Sequence, residues 1–455
     1  MSFPKSFTRR AFIQSTSTAA AGLALGGCAT SPRKTGYNSP NSKLNIAAVG
    51  VGGKGRGDIA ATSKGQNVVA ICDVDDKTLG AAAKTYDKAR LYHDWRRLLE
   101  QGDIDAVTVS TPDHMHAPVA MAAIQLGKHV YVQKPMAHTV LEARALTAAA
   151  KSAGVVSQMG NQNHSGTGYK SLVQAVRGGA IGKVKEAHAW SNRPGWPQGI
   201  TRPEGSDPVP DHLWWDLWLG CAPYRDYVGP KQGSRNGRGA YHTFNWRGFL
   251  DFGVGALGDM GCHIIDPVVW SLALGAPKQV WSTGPVTNGE TYPEWETIHY
   301  EFPGTEYCSG DTVRMTWYDG GKKPSTSLLP GGTDKNLPSN GCLLVGELGV
   351  LLCPHGGRPE LWPKSVFADT KLIEVAGDDH YMQWTNACKG IGTTSSTFDY
   401  SGPLTETVLL GTVAVRFPNE KLSWDSAALQ ITNKPEANRF LTKNYRAGWG
   451  VPGVA

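Results

Sequence analysis

Asn45-Ile46-Ala47-Ala48-Val49-Gly50-Val51-Gly52-Gly53-Lys54-Gly55 is the stretch that decides the fold. A short, mostly apolar run leads directly into G-x-G-x-x-G. Glycines in that pattern permit a tight turn, let the backbone approach a pyrophosphate, and let the next helix pack closely on the strand. The pyrophosphate then sits on a helix N-terminus, where free N–H groups favour negative charge. In a chain with 55 Gly the pattern alone decides little. Its position between a strand candidate and a helix candidate gives it weight. A second apolar run, Val68 to Cys72, ends in Asp73, roughly 20 positions after the turn, where a carboxylate accepts hydrogen bonds from the ribose hydroxyls of NAD and repels a 2′-phosphate. Lys54, Arg56 and Lys77 lie close enough in sequence to leave NADP open.

The same alternation continues outward. Ala106 to Ser110, His129 to Val132 and Val155 to Gln158 are further strand candidates. Trp95 to Gln101, Ala117 to Leu126 and Thr139 to Ser152 read as helices between them. Continuous apolar strands alternating with helices predict a parallel, doubly wound α/β sheet. Ligands of such sheets lie beyond the carboxyl ends of the strands. Two of those ends carry polar residues: Thr111-Pro112-Asp113-His114-Met115-His116 and Gln133-Lys134-Pro135. Pro135 biases Lys134 toward extended backbone, so its ammonium projects into the crevice. There it can polarise a hydroxyl and stabilise developing alkoxide charge.

The Gly50–Gly55 turn, Asp73, Thr111-Pro112 with His116, and Lys134-Pro135 together resemble the Gfo/Idh/MocA oxidoreductases, which include glucose–fructose oxidoreductase and inositol dehydrogenase. The family pattern usually reads Glu-Lys-Pro, whereas this chain has Gln133-Lys134-Pro135. Farther on, Gly258-Asp259-Met260-Gly261-Cys262-His263-Ile264-Ile265-Asp266 is similar to the family's D-x-x-x-H segment. In a helix Asp259 and His263 share a face, and Asp266 borders it. A neutral His beside a carboxylate suits a general base near neutral pH. The competing reading is an ordinary helix start capped by Asp259. The resemblance spans roughly residues 43 to 400. It implies a catalytic set of Lys134, Asp259 and His263. It also implies a cofactor set of Gly50, Gly52, Gly53, Gly55, Asp73, Thr111, Pro112, His116 and Lys134. No further ligand cluster stands near Asp259 and His263, so no metal is expected.

A Rossmann domain over 43–165 and an α+β domain over 166–455 are expected. The second carries an open, mostly antiparallel sheet that contacts substrate and, in relatives, mediates homo-oligomers. Glu186 to Trp190, Gln279 to Trp281 and Thr297 to Tyr300 fit its strands. The insert from Asn192 to Asn245 is rich in Gly, Pro, Trp and Arg and reads as loops over the crevice. Arg193 and Trp196, with Trp246 and Arg247 just after the insert, are candidate substrate contacts.

Residues 1–42 stand outside the expected fold. Thr8-Arg9-Arg10-Ala11-Phe12-Ile13 resembles a twin-arginine export signal. The apolar stretch from Ser15 to Gly27 is too short for a permanent span. Leu25-Gly26-Gly27-Cys28 resembles a lipobox, leaving a lipid anchor at Cys28 open; a Ser-, Pro- and Lys-rich tether follows. A periplasmic location is the expectation. Seven Cys lie beyond Cys28 without C-x-x-C spacing and read as buried thiols. At 455 residues the chain exceeds one compact domain. A net charge of +6 without a long Lys/Arg run argues against nucleic acid as a partner. The 15 Trp serve core packing and can also stack on sugar rings.

The expected function is hydride transfer between bound NAD and a ring carbinol of a sugar, glycoside or cyclitol. Outside the cytoplasm no free nicotinamide pool is expected, so the cofactor should be held tightly and regenerated within each cycle. Two alternatives stand beside this. One is a redox-neutral glycosidase that oxidises, eliminates, adds water and reduces. The other is a non-catalytic sugar sensor, to which the loss of Glu before Lys134 gives credit.

Overall fold

The computed structural model describes residues 42–231 and 237–454. The expected export signal, lipobox and tether therefore lie outside the described residues. Strands β1 (Asn45–Val49), β2 (Asn67–Cys72), β3 (Arg90–Tyr92), β4 (Ala106–Val109), β5 (His129–Val132) and β6 (Ser157–Met159) form a six-stranded sheet in the order β3-β2-β1-β4-β5-β6. Every pairing is parallel. Helices cover the sheet, so β1, β4 and β5 are almost wholly buried and read as unbroken apolar runs. The strand order reverses between β1 and β4. That reversal opens a crevice at the carboxyl edge, between the Gly50 turn and Ser110-Thr111. The helix Val140–Ala153 begins at a capping box of Thr139 and Glu142 and ends at Gly154 with φ of 63°, which is the start and stop chemistry expected of a stable helix.

The second sheet has nine strands: β7 (Val184–Trp190), β8 (Gln279–Thr283), β9 (Thr297–Pro303), β10 (Thr312–Tyr318), β11 (Gly341–Gly346), β12 (Val350–Pro354), β13 (Glu360–Trp362), β14 (Leu422–Asp425) and β15 (Gln430–Ile431). Their order is β13-β12-β11-β7-β10-β9-β8-β14-β15. Only β7 and β10 pair in parallel; the other neighbours are antiparallel. Burial alternates along β8 and β9, the pattern of a sheet with one covered face. The helices Gly255–Ile264, Asp266–Leu272 and Phe398–Ala414 pack against this sheet.

Late segments return to the first sheet. Gln158 donates its amide to the His380 carbonyl, and Met159 N–H bonds Ser396 O at 3.0 Å. The long helix Phe398–Ala414 lies against Val140–Ala153 on one side and Gly255–Ile264 on the other. Gly261 makes the second contact close, because a methyl there would sit 3.1 Å from Val408 Cγ2. The helix bearing Asp259 and His263 is thereby wedged between the sheets, at the mouth of the crevice.

Candidate active site

The glycine turn is built by close approach. Gly50 has φ of +81°, and a methyl on it would lie 2.6 Å from the Ser110 carbonyl oxygen. On Gly55 a methyl would meet the Gly50 oxygen at 2.0 Å. Gly53, the first residue of the helix Gly53–Thr62, has no atom within 4 Å of its would-be Cβ. A helix N-terminus therefore faces open space. Beside it the Asp73 carboxylate accepts from Val51 N–H and Asp75 N–H, both at 3.0 Å. Gly50, Gly53 and Asp73, with Gly52, Thr111, Pro112, Lys134, Asp259 and His263, line one cavity of about 700 Å³, in the range of ligand sites; Gly55 lies behind the turn, packed on Gly50. The Thr111 hydroxyl is buried without a partner on that wall, which leaves it free for a ligand. Together these features fit a dinucleotide.

Burial pushes Asp73 up to about 6, against the pull of the Val51, Asp75 and Gly52 backbone N–H groups. Ribose hydroxyls donate best to the ionised carboxylate. Binding therefore favours the deprotonated form and is complete only above the free protein's value. NAD affinity should hold constant above pH 7 and fall below pH 6, by up to about tenfold per pH unit. Titration calorimetry from pH 5 to 8 checks this, and Asp73→Asn should flatten the profile. Affinity that rises on acidification would contradict it.

At the other end of the cavity, Lys134 Nζ donates to the Asp259 carboxylate Oδ1 at 2.7 Å and to the Asp259 carbonyl at 2.6 Å. The helix Gly255–Ile264 starts after Val254, so Asp259 is an interior residue and not the cap. Burial raises the Asp259 carboxyl, but Lys134 and Arg247 outweigh this and hold it well below the usual range. Arg247 Nε stands 3.4 Å and Arg193 Nε 3.7 Å from its two oxygens. One turn on, His263 is pushed well down by burial, with the Lys134 and His355 fields adding to the effect. Its imidazole is neutral, and its Nδ1 is buried without a partner. A positioned ammonium, an ionised carboxylate and an unengaged neutral imidazole share one wall. They can hold an alcohol oxygen and take its proton.

Other expectations are redrawn. Asp266 does not border the site. It starts the next helix and turns inward, between His164 Nδ1 at 3.0 Å and the Tyr400 hydroxyl at 2.5 Å. His116 lines the cavity, but its nitrogens face the carbonyls of Pro135 at 2.7 Å and Thr111 at 2.8 Å; it braces the two strand ends. Trp246 lines the cavity, whereas Trp196 stands outside it, buried, with its indole 5.8 Å from the Arg247 guanidinium. The insert covers the ribose end. Trp214 N–H bonds Val74 O at 2.9 Å, and the Trp214 ring stacks on His93 at 4.7 Å.

Several residues here went unforeseen. Gln133 donates its amide to Asp58 Oδ2 at 2.9 Å. Asp58 is fully buried and also accepts from Ser110 Oγ, Lys54 Nζ and the Tyr381 hydroxyl. An acid at position 133 would press a second carboxylate against Asp58, so the amide is the fitting partner. Only the i,i+4 spacing of Lys54 and Asp58 hinted at this. Asp113, buried on the cavity wall, is pushed up to about 7 by burial, against the Arg247 and Lys134 fields. Arg238 and Phe244, deep in the insert, also reach the cavity.

Comparison with known proteins agrees with this architecture. Residues 44–161 match the Gfo/Idh/MocA model described as "Oxidoreductase family, NAD-binding Rossmann fold", and residues 185–311 match that family's "C-terminal alpha/beta domain". A glycosyl hydrolase family 109 protein of Shewanella sp. (strain ANA-3) is 33% identical over 160 residues, 30% of this chain and 35% of that protein. Inositol 2-dehydrogenase of Salmonella typhimurium is 30% identical over 149 residues, 32% of this chain and 44% of that enzyme. The chain thus matches less than half the length of these curated relatives. Among solved structures, the WlbA dehydrogenase of Bordetella pertussis in complex with NADH and UDP-GlcNAcA superposes with a TM-score of 0.58 at 18% identity. That match covers 84% of this chain and 98% of that one.

Proposed function

The chain belongs to the Gfo/Idh/MocA oxidoreductase family, and from that membership we propose that it moves hydride between NAD and a ring carbinol of a sugar or cyclitol. The observation that carries this reading is the Lys134–Asp259 pair beside the neutral His263 imidazole, in the same cavity as the glycine turn. When bound, NAD would supply the hydride acceptor; Gly50, Gly52, Gly53, Asp73 and Thr111 would hold it, with Gly55 letting the turn pack closely. The neutral His263 imidazole, which lines the cavity, takes the hydroxyl proton. Lys134 Nζ donates to the carbinol oxygen as negative charge builds there. Asp259 keeps Lys134 aimed.

The test is to mix NAD-loaded protein with a panel of sugars and cyclitols and follow the reduced-nicotinamide absorbance. At least one member should reduce bound NAD in a single turnover; NAD binding without reduction by any sugar or glycoside would sink the reading and favour a sensor. The glycosyl hydrolase family 109 relative supports a second reading, redox-neutral glycoside cleavage. That reading requires release of a chromophore from an aryl glycoside with no added acceptor.

Export belongs to the same proposal. Arg9-Arg10 and the apolar stretch after it read as a twin-arginine signal, and that route suits an enzyme already folded around its cofactor. Arg9→Lys with Arg10→Lys should leave the protein in the cytoplasmic fraction. Normal export of the double variant would contradict it.

A further inference from the structure

The reaction end of the cavity is richer in cations than the proposed chemistry needs. Lys134, Arg193, Arg238 and Arg247 all line it. One ionised carboxylate, Asp259, serves three of them. The nearby Asp113 commits Oδ2 to Val254 N–H at 3.2 Å and, pushed up by burial to about 7, is only partly charged near neutrality. Arg238 makes no ion pair among the described residues, and the undescribed residues 232–236 contain no Asp or Glu.

The arginines also converge. Arg193 and Arg247 address the two oxygens of Asp259. Arg238 and Arg247 both lie over the Phe244 ring, at 4.2 Å and 4.5 Å from its centroid. Arg247 further stacks on Trp246 at 4.3 Å. Stacking satisfies the face of a guanidinium and leaves its in-plane N–H fork for an acceptor. Part of that fork is used: Arg193 Nη1 donates to Asn192 Oδ1 and Arg247 Nη1 to the Phe244 carbonyl. For Arg238 the ring contact is the one interaction among the described residues. Half-buried cations short of counter-charge are costly, and a bidentate oxyanion relieves them. The cofactor pyrophosphate is not that anion. Its place is the glycine turn, whereas Arg193 and Arg247 are anchored at Asp259.

We propose that Arg193, Arg238 and Arg247 form an oxyanion subsite, and that the sugar bound there carries a carboxylate or a phosphate. This rests on the reading of the cavity as a sugar oxidoreductase site. The test measures equilibrium binding to NAD-loaded protein by tryptophan fluorescence. It uses uronates, sugar 6-phosphates and their neutral parent hexoses, with NAD reduction recorded alongside. One anionic class should bind at least about 10-fold more tightly than its parents, and which class does so names the group. Arg238→Gln and Arg193→Gln should each cut that preference by about 10-fold, while NAD affinity stays within about twofold.

Neutral hexoses that bind as tightly as both anionic classes would overturn the subsite. So would variants that weaken acid and parent sugars equally. An Arg238→Gln that weakens NAD with sugar preference intact would overturn it too, by placing that arginine on the cofactor. Anion-selective binding without NAD reduction would keep the subsite and sink the oxidoreductase reading. Turnover of neutral sugars without anion preference would do the reverse.

Discussion

His263→Ala should reduce bound NAD about 100- to 10,000-fold more slowly than the wild type in single turnover, with NAD affinity unchanged. The size of the effect follows from the role: of the described histidines lining the cavity, His263 is the one that feels both Lys134 and Asp259. His116 spends both nitrogens on backbone carbonyls, and His242 stands 3.8 Å from Asp75, beside the ribose end. NAD binding should survive because the glycine turn and Asp73 lie at the other end of the cavity. The wild-type rate has a matching pH signature. With His263 held well below its usual range, the imidazole stays neutral through pH 6.5. A group with a depressed value is the free base above that value. The rate of NAD-saturated enzyme should therefore stay flat where an ordinary His would lose activity. A rate halved near pH 6.5 would mean a different base.

Lys134→Ala should cost about 100- to 1,000-fold in the same assay, the range for loss of one donor to a developing oxyanion. It should also disturb Asp259. Without the Lys134 ammonium the buried carboxylate keeps only Arg247 and Arg193, and burial then draws its value upward. The variant should gain an acid limb in its rate profile that the wild type lacks, as Asp259 takes up a proton at higher pH. Near wild-type rates in both variants, on a substrate the wild type turns over, would remove these residues from the chemistry.

What the sequence made legible follows the range of the interactions. The Gly50–Gly55 turn, Asp73 and the Asp259–His263 pair are readable because their geometry is local: a strand leading into a turn, or two residues on one helical face. β3 escaped because Arg90–Tyr92 is short and lacks an apolar run. β6 begins at Ser157, later than its apolar residues suggest, because its register is set by pairing with β5. The Asp58–Gln133 bond joins residues far apart in sequence, so the amide before Lys134 looked like a loss when it is a match to a buried carboxylate. Arg238 joins the cavity only because the insert folds Phe244 beneath it. Asp266 faces away because the helix ends at Ile264 and the next one begins, which i,i+3 spacing cannot foresee.

The central claim is that a carbinol hydrogen passes directly to the bound nicotinamide. NAD-loaded protein should be mixed with a turned-over sugar deuterated at every carbon, and the cofactor released and weighed by mass spectrometry. Direct transfer predicts reduced cofactor one deuterium heavier than that from unlabelled sugar. Reduced cofactor carrying no deuterium, or a label lost to solvent before transfer, would contradict the account.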